Sequence, residues 1–233
     1  MRYPKCALAA LTLLVACGPA SSDDDSSATK AAAPEPVQAV SLLGDSLRTL
    51  PLPAETRTRY EQQLAQAKTA FDHTPSDADS IIWYARRLAY LGRHREALDV
   101  YTKGIAQYPD NPWLYRHRGH RYISVREFDR AVADLTRAGD LVRGRPDEVE
   151  PDGEPNALGI PTSTLQFNIW YHLGLTDYLR GNYAKAYADY VECMKVSKND
   201  DSIAAVSDWM WMTLMRMNRN DEAAKVLERI TPK

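Results

Sequence analysis

An all-α fold of stacked helix pairs is predicted by three features of the sequence. A spacing of 34 residues links Pro75 to Pro109, Ala97 to Ala131 and Gly104 to Ala138, and a fixed period of that length marks a repeated supersecondary unit. Apolar residues between these points fall at helical spacing, as Tyr60, Leu64, Ala67 and Phe71 do within residues 55–73. Helix-start chemistry stands where such units must begin. Asn111-Pro112 is an N-cap followed by proline in the first turn, and Thr162 or Ser163 and Asp200 or Asp201 can cap two later helices. One helix pair cannot bury both of its faces, so stacking must stabilise the array, which leaves a concave surface along it.

Composition agrees with a folded chain. Of 233 residues 44% are hydrophobic and 26% charged, near globular averages, which excludes wholesale disorder, a collagen-like chain and a multi-span membrane protein. With 29 Lys+Arg against 31 Asp+Glu the formal charge is -2, so there is no general attraction for nucleic acid. Two of the 3 cysteines, Cys6 and Cys17, lie near the amino terminus, and no disulfide framework can be drawn.

The first residues read as an address. Arg2 and Lys5 form a basic start, and Ala7–Ala16 is a small and apolar run ending at Cys17. This is signal-peptide anatomy, too short to span a bilayer. Leu14-Val15-Ala16-Cys17 resembles the bacterial lipobox. The resemblance implies diacylglycerol on the Cys17 thiol, a signal peptide of residues 1–16 and an anchor in a bacterial membrane. The alternative is an ordinary secretory signal with an incidental cysteine. Gly18 is not the aspartate that such families associate with inner-membrane retention, which implies the outer membrane, with the domain in the periplasm or at the cell surface. Gly18–Pro36 holds no large apolar residue to offset its ordering entropy. Residues 17–40 are therefore expected as a lipidated flexible tether, and residues 41–233 as the helical domain.

The repeat itself resembles the tetratricopeptide repeat. With Ala78 at position one, Ala85 takes the small eighth position, Gly92 the turn at fifteen, Ala97 position twenty and Tyr101 position twenty-four. From Pro112 the second unit matches at Gly119, Tyr122, Phe128, Ala131 and Ala138, with Arg126 in place of the turn glycine. From Phe167 the third matches at Trp170, Leu173, Gly174, Gly181, Tyr183, Ala186 and Tyr190, while Asp177 puts a carboxylate where helices usually pack. Such a carboxylate must find a partner or lie at an edge. Residues 55–73 look like the second helix of a unit whose first helix is degenerate. A fourth unit, 204–233, keeps Ala223 and Leu227 but has Trp211 at position eight. The resemblance implies a solenoid of three clear repeats with degenerate flanking units.

In that family the concave face binds protein or peptide partners without catalysis. Carried over position by position, the partner groove comprises Arg86, Tyr90, Trp113, Arg116, His120, Asn168, Tyr171 and Tyr178. Arg86 and His120 share position nine one period apart and should be neighbours, with Arg116 a helical turn before His120. Guanidinium groups beside Trp113 and Tyr90 suit carboxylate capture; the alternative is a solvated charged face.

The spacing from Ala131 to Ala186 exceeds one period by 21 residues, and the excess falls in a Pro/Gly-rich loop, 143–163, carrying Asp147, Glu148, Glu150, Asp152 and Glu154. It is expected either to fold over the groove as a lid and built-in pseudo-ligand or to stay a mobile surface loop. His117 and His120 have metal-compatible spacing, but nothing completes a site and the arginines repel a cation, so no metal and no cofactor are expected. Cys193 reads as a packing residue. No phosphate loop, Ser-centred elbow or HExxH is present. Residues 204–217 are apolar almost all round, which means a helix tucked between neighbours or one covered by another chain.

The leading expectation is a membrane-anchored, non-catalytic protein- or peptide-binding scaffold in the cell envelope. The alternatives are an envelope enzyme using Asp152 or Glu154 with His120, or self-assembly through 204–230. Cys17→Ala should abolish metabolic labelling of the protein with a fatty acid and leave an unlipidated or uncleaved precursor. A wild-type chain that never labels would remove the anchor.

Overall fold

The computed structural model describes residues 35–230 except 153, 155–158 and 160. The expected signal peptide, Cys17 and the tether up to residue 34 lie outside the described residues. Glu35 opens a compact unit that runs through the rest of the chain.

An antiparallel hairpin, β1 (Val37–Val40) and β2 (Ser46–Arg48), comes first. It is followed by α1 (Ala54–His73), α2 (Ala78–Tyr90), α3 (His94–Gln107), α4 (Pro112–Ser124), α5 (Phe128–Val142), α6 (Leu165–Leu179), α7 (Tyr183–Val196), α8 (Asp200–Arg216) and α9 (Asn220–Leu227). Consecutive helices pack on one another, and the first helices α2, α4, α6 and α8 also touch in sequence, forming a common inner face. The architecture is the expected helical solenoid, with pairs α2/α3, α4/α5, α6/α7 and α8/α9 and with α1 stacked on α2.

Small residues set the approach of the helices. Ala85, Ala97, Ala131, Ala186 and Ala223 are all wholly buried. A Cβ on Gly119 would stand 2.7 Å from Leu135 Cγ, and one on Gly174 2.7 Å from the ring of Tyr190. The turn at position fifteen is left-handed in every unit, with φ of 73° at Gly92, 66° at Arg126, 79° at Gly181 and 59° at Asn218. Two units thus hold a side chain in the left-handed region, which asparagine tolerates at 218 and which strains the arginine at 126. Arg126 is steadied there by donating from Nη1 to the Ile123 carbonyl at 3.1 Å.

Two expectations need correction. The tether does not extend to residue 40, and no degenerate first helix precedes α1, because the hairpin occupies that stretch. Its turn is built by Ser41, whose backbone N–H donates to the Asp45 carbonyl at 2.8 Å, and by Gly44 at φ 92°. Ala39, 2% exposed, packs against Leu98, Tyr122, Ile123 and Val125. Arg95 N–H donates to Gln38 Oε1 at 3.2 Å, and Thr49 Oγ1 to the Gly92 carbonyl at 3.2 Å. Val37 ends the run that lacks large apolar side chains.

Asp177 finds its partners. The carboxylate is fully buried, with Lys185 Nζ at 2.6 Å and Arg180 Nη1 and Asn182 Nδ2 each at 3.3 Å. Cys193 is buried with Sγ 3.5 Å from the Phe167 carbonyl, a packing position. The apolar helix α8 turns Val206, Met210 and Leu214 into the last core, while Trp209 and Trp211 pack half-buried against it. Met215 is left 41% exposed.

Gly119→Leu and Gly174→Leu should each overpack a helix pair and cost about 1–3 kcal/mol, whereas Arg126→Gly should raise stability by up to about 1 kcal/mol by relieving the left-handed side chain. Thermal melts check all three, and unchanged midpoints for the two leucines would refute the repeat register.

Candidate functional site

A polar cavity lies on the inner face where α2 and α4 meet. Arg86 and Tyr90 from α2, Arg116, His120 and Arg121 from α4 and Tyr101 from α3 line a cavity of ≈ 110 Å³, and Glu150 of the inserted loop reaches into it. The helix register brings these groups together: Arg86 and His120 are one period apart, Arg116 lies one turn before His120 on the same face of α4, and Arg121 follows His120 directly.

The loop is tied at both ends. Glu150 N–H donates to the Ser163 carbonyl at 3.0 Å and Leu165 N–H to the Glu148 carbonyl at 2.8 Å, so Val149 and Thr164 pair as an isolated antiparallel bridge. Asp147 accepts from Thr164 Oγ1 at 2.6 Å and from Gln166 N–H at 3.0 Å. This extended pair aims Glu150 inward. The described part of the loop is therefore the lid of the first expectation and not a loose surface segment.

Glu150 is 4% exposed. Its Oε2 lies 3.0 Å from Arg116 Nε and accepts from Asn168 Nδ2 at 2.8 Å; its Oε1 lies 4.0 Å from both Arg86 Nη2 and His117 Nε2. The Arg116 ion pair is close but not aligned, since its Nε–H points at no acceptor. Arg116 Nη1 instead donates to His117 Nδ1 at 3.0 Å. An accepting Nδ1 places the imidazole proton on Nε2, which faces the carboxylate without a hydrogen bond. Farther out, Glu154 meets Arg59 at 2.7 Å and Arg87 at 3.8 Å, an exposed contact of small energetic weight.

Burial governs the titration of this region. It holds His117 and His120 well below the usual imidazole range, helped by Arg116 and Arg121 respectively. It brings His172 down to about 3 and His94 to about 4, again with Arg116 and Arg121 adding to the effect. The rings of His120 and His172 meet at a tilt of 41° with centroids 4.0 Å apart. Burial also lowers Arg116 and Arg121, but guanidinium groups stay protonated in proteins.

The sequence-derived groove residues divide into two groups. Arg86, Tyr90, Arg116 and His120 line the cavity, and Asn168 clamps Glu150. The arginines are not a solvated face: Arg86 is 9% and Arg116 5% exposed. Trp113 stacks on His117 at 6.3 Å and lines a separate open depression with Arg145 and Glu148. Tyr171 and Tyr178 are not brought to the arginines. They pack with Trp209, whose Nε1 donates to Tyr171 Oη at 2.6 Å. Arg118 turns outward to make a bidentate pair with Asp134 at 2.7 and 2.8 Å.

Sequence reasoning left Arg121, His117, His172 and Tyr101 out of the site. The signal for the two histidines was their shared sixth position in successive first helices. Neither Asp152 nor Glu154 is the acid that approaches the histidines; Glu150 is. Among the described residues no three His, Cys, Asp or Glu side chains converge as metal ligands.

Residues 78–121, spanning α2, α3 and most of α4, match the sequence profile of the tetratricopeptide repeat. This stretch is a tetratricopeptide repeat. Solved structures carry the fold further along the chain. A crystal structure of MamA is 17% identical over 75% of this chain and 82% of its own, with a TM-score of 0.56. Another is 16% identical over 77% and 93%, also at 0.56, and MamA from residue 41 onward of Desulfovibrio magneticus RS-1 is 16% identical over 74% and 84%, at 0.56. No curated protein sequence matches the chain. At such identities the likeness is one of fold: the chain is a solenoid of stacked helix pairs, as those structures are.

Four imidazoles of this solenoid are neutral in the fold but titrate near 6.5 when unfolded. The unfolded chain therefore binds more protons as pH falls through 6.5, and stability present above that pH is lost below it. Asp189 works in the opposite sense. Burial raises its carboxyl to about 7, so it holds a proton that the unfolded chain releases, and it costs stability as pH rises from about 4 to 7. The histidines outnumber it. The melting midpoint should fall from pH 6.5 to 4.5, by roughly 2–4 °C for each kcal/mol lost, and Asp189→Asn should raise the midpoint at pH 8. A flat profile would contradict the burial of the histidines.

Proposed function

We propose that the chain is an envelope lipoprotein, lipidated on Cys17 and held at the bacterial outer membrane, whose solenoid binds an acidic protein segment without catalysis. The repeat fold supports the scaffold role, and the lipobox supports the anchor. The observation that carries the ligand class is the seat of Glu150: an extended strand presents one carboxylate to Arg116, Arg86 and Asn168. A partner strand with glutamate in the same register would satisfy the same donors. The loop is then a competing internal ligand, tethered at high effective concentration, and a partner binds by displacing it.

The test uses a labelled peptide with the sequence of residues 146–152 added to the full chain. Glu150→Gln with Glu154→Gln removes both carboxylates by which the loop holds the inner face, and should raise peptide affinity at least tenfold over wild type, measured by fluorescence anisotropy. The gain should shrink with added salt and vanish when Arg116→Glu is included. Equal affinity of the wild type and the double variant would reject the competing-ligand reading.

A further inference from the structure

Beneath the loop the charges do not balance. Arg86, Arg116 and Arg121 all reach the cavity wall, and Glu150 is the acid on it. With the histidines neutral, three guanidinium charges face one carboxylate, an excess of two. Glu150 sits toward Arg116 and Arg86. The Arg121 side chain makes no hydrogen bond or ion pair with the described residues, and the charged groups acting on it most strongly are Arg116 and Arg86, which are like charges. Two buried donors, Arg116 Nε and His117 Nε2, also lack an acceptor in line. Cations packed together in a poorly hydrated site repel strongly unless an anion joins them.

We propose that this cavity binds a free, phosphate-sized dianion, seated among Arg121, Arg116 and Arg86 with Glu150 left in place. The charge of such an ion equals the excess on the wall. Its size also fits: ≈ 110 Å³ is less than the roughly 150 Å³ that accommodates a benzene ring, enough for a tetrahedral oxyanion and too little for a nucleotide. Guanidinium forks supply paired N–H donors to tetrahedral oxygens. A phosphate carried on a peptide would have to open the loop, whereas a free ion need not. The inference does not rest on peptide binding, because the ion occupies the closed state.

Inorganic phosphate is titrated against the purified full chain at pH 7.5 and constant ionic strength in chloride, followed by calorimetry and by the melting midpoint. One phosphate per chain should bind saturably and raise the midpoint, sulfate should substitute for it, and chloride should not. Arg121→Gln should weaken phosphate at least tenfold. Arg121→Lys, which keeps the charge, should retain most of the binding and covers the case in which the glutamine variant fails to fold. Glu150→Gln should tighten phosphate at least tenfold, a gain that a purely structural role for the carboxylate would not produce. Absence of saturable binding in both the wild type and Glu150→Gln, or wild-type affinity in Arg121→Gln, would overturn the proposal. A phosphoserine peptide that bound the wild type more tightly than inorganic phosphate would overturn the free-ion assignment. The acidic-peptide reading stands or falls separately on its own probe.

Discussion

The close approach of neighbouring helices decides what the inner face contains. Glycine at 119 and 174 and alanine at 85, 97, 131 and 186 let helix axes come within side-chain contact distance, and the 34-residue period then stacks equivalent positions of successive first helices. Arg86 and His120 line one cavity for that reason. The same approach that packs the helices also dehydrates the guanidinium groups beside them. A charge that would be unremarkable on an isolated helix becomes a buried charge when the next pair is added, and a buried charge demands a partner.

The inserted loop answers that demand in part. It departs from the solenoid after α5, lays an extended strand against residues 163–165 and delivers Glu150 to the arginines. Removing such a carboxylate alone leaves uncompensated cations, which is costlier than never having had the pair. The loop is therefore coupled to the first two units through electrostatics, while its hydrogen bonds attach it to the third at Thr164, Gln166 and Asn168. It links units that otherwise touch only their neighbours, giving a one-dimensional array a longer-range contact.

The helices were legible because their cause is local and periodic. Small residues at fixed intervals, an Asn-Pro start and left-handed turns report on backbone geometry within a few residues, and even Arg126 at a glycine position kept the turn conformation. The hairpin at 37–48 was not legible, because a four-residue strand of alternating character carries little signal beside a polar tail. In the site, the column of Arg86, Arg116 and His120 followed from the period. The choice of Glu150 from five loop acids did not, since it depends on the bridge between Val149 and Thr164. Tyr171 and Tyr178 were assigned to the same groove on position alone, but Trp209 from α8 draws them into a different cluster.

The inner face consequently has two halves with different chemistry. Near α2 and α4 it is cationic, roofed by the loop and governed by charge balance, so anything that enters must be an anion or must displace one. Near α6 and α8 it is aromatic, with Tyr171, Tyr178 and Trp209 half-buried and edge-on to one another, and it offers amphipathic surface with little charge. Asn168 and His172 stand at the boundary. Asn168 grips Glu150 through its side chain, and its carbonyl bonds His172 Nδ1 at 2.6 Å. His172 meets the His120 ring at 4.0 Å on the cationic side and lies 5.6 Å from Tyr171 on the aromatic side. Movement of the Glu150 carboxylate would leave Ser163 Oγ, at 3.0 Å, as the acceptor of the Asn168 amide, one helical turn from that pair of rings. Asn168 thus ties the loop to the turn of α6 on which His172 stands between the two halves.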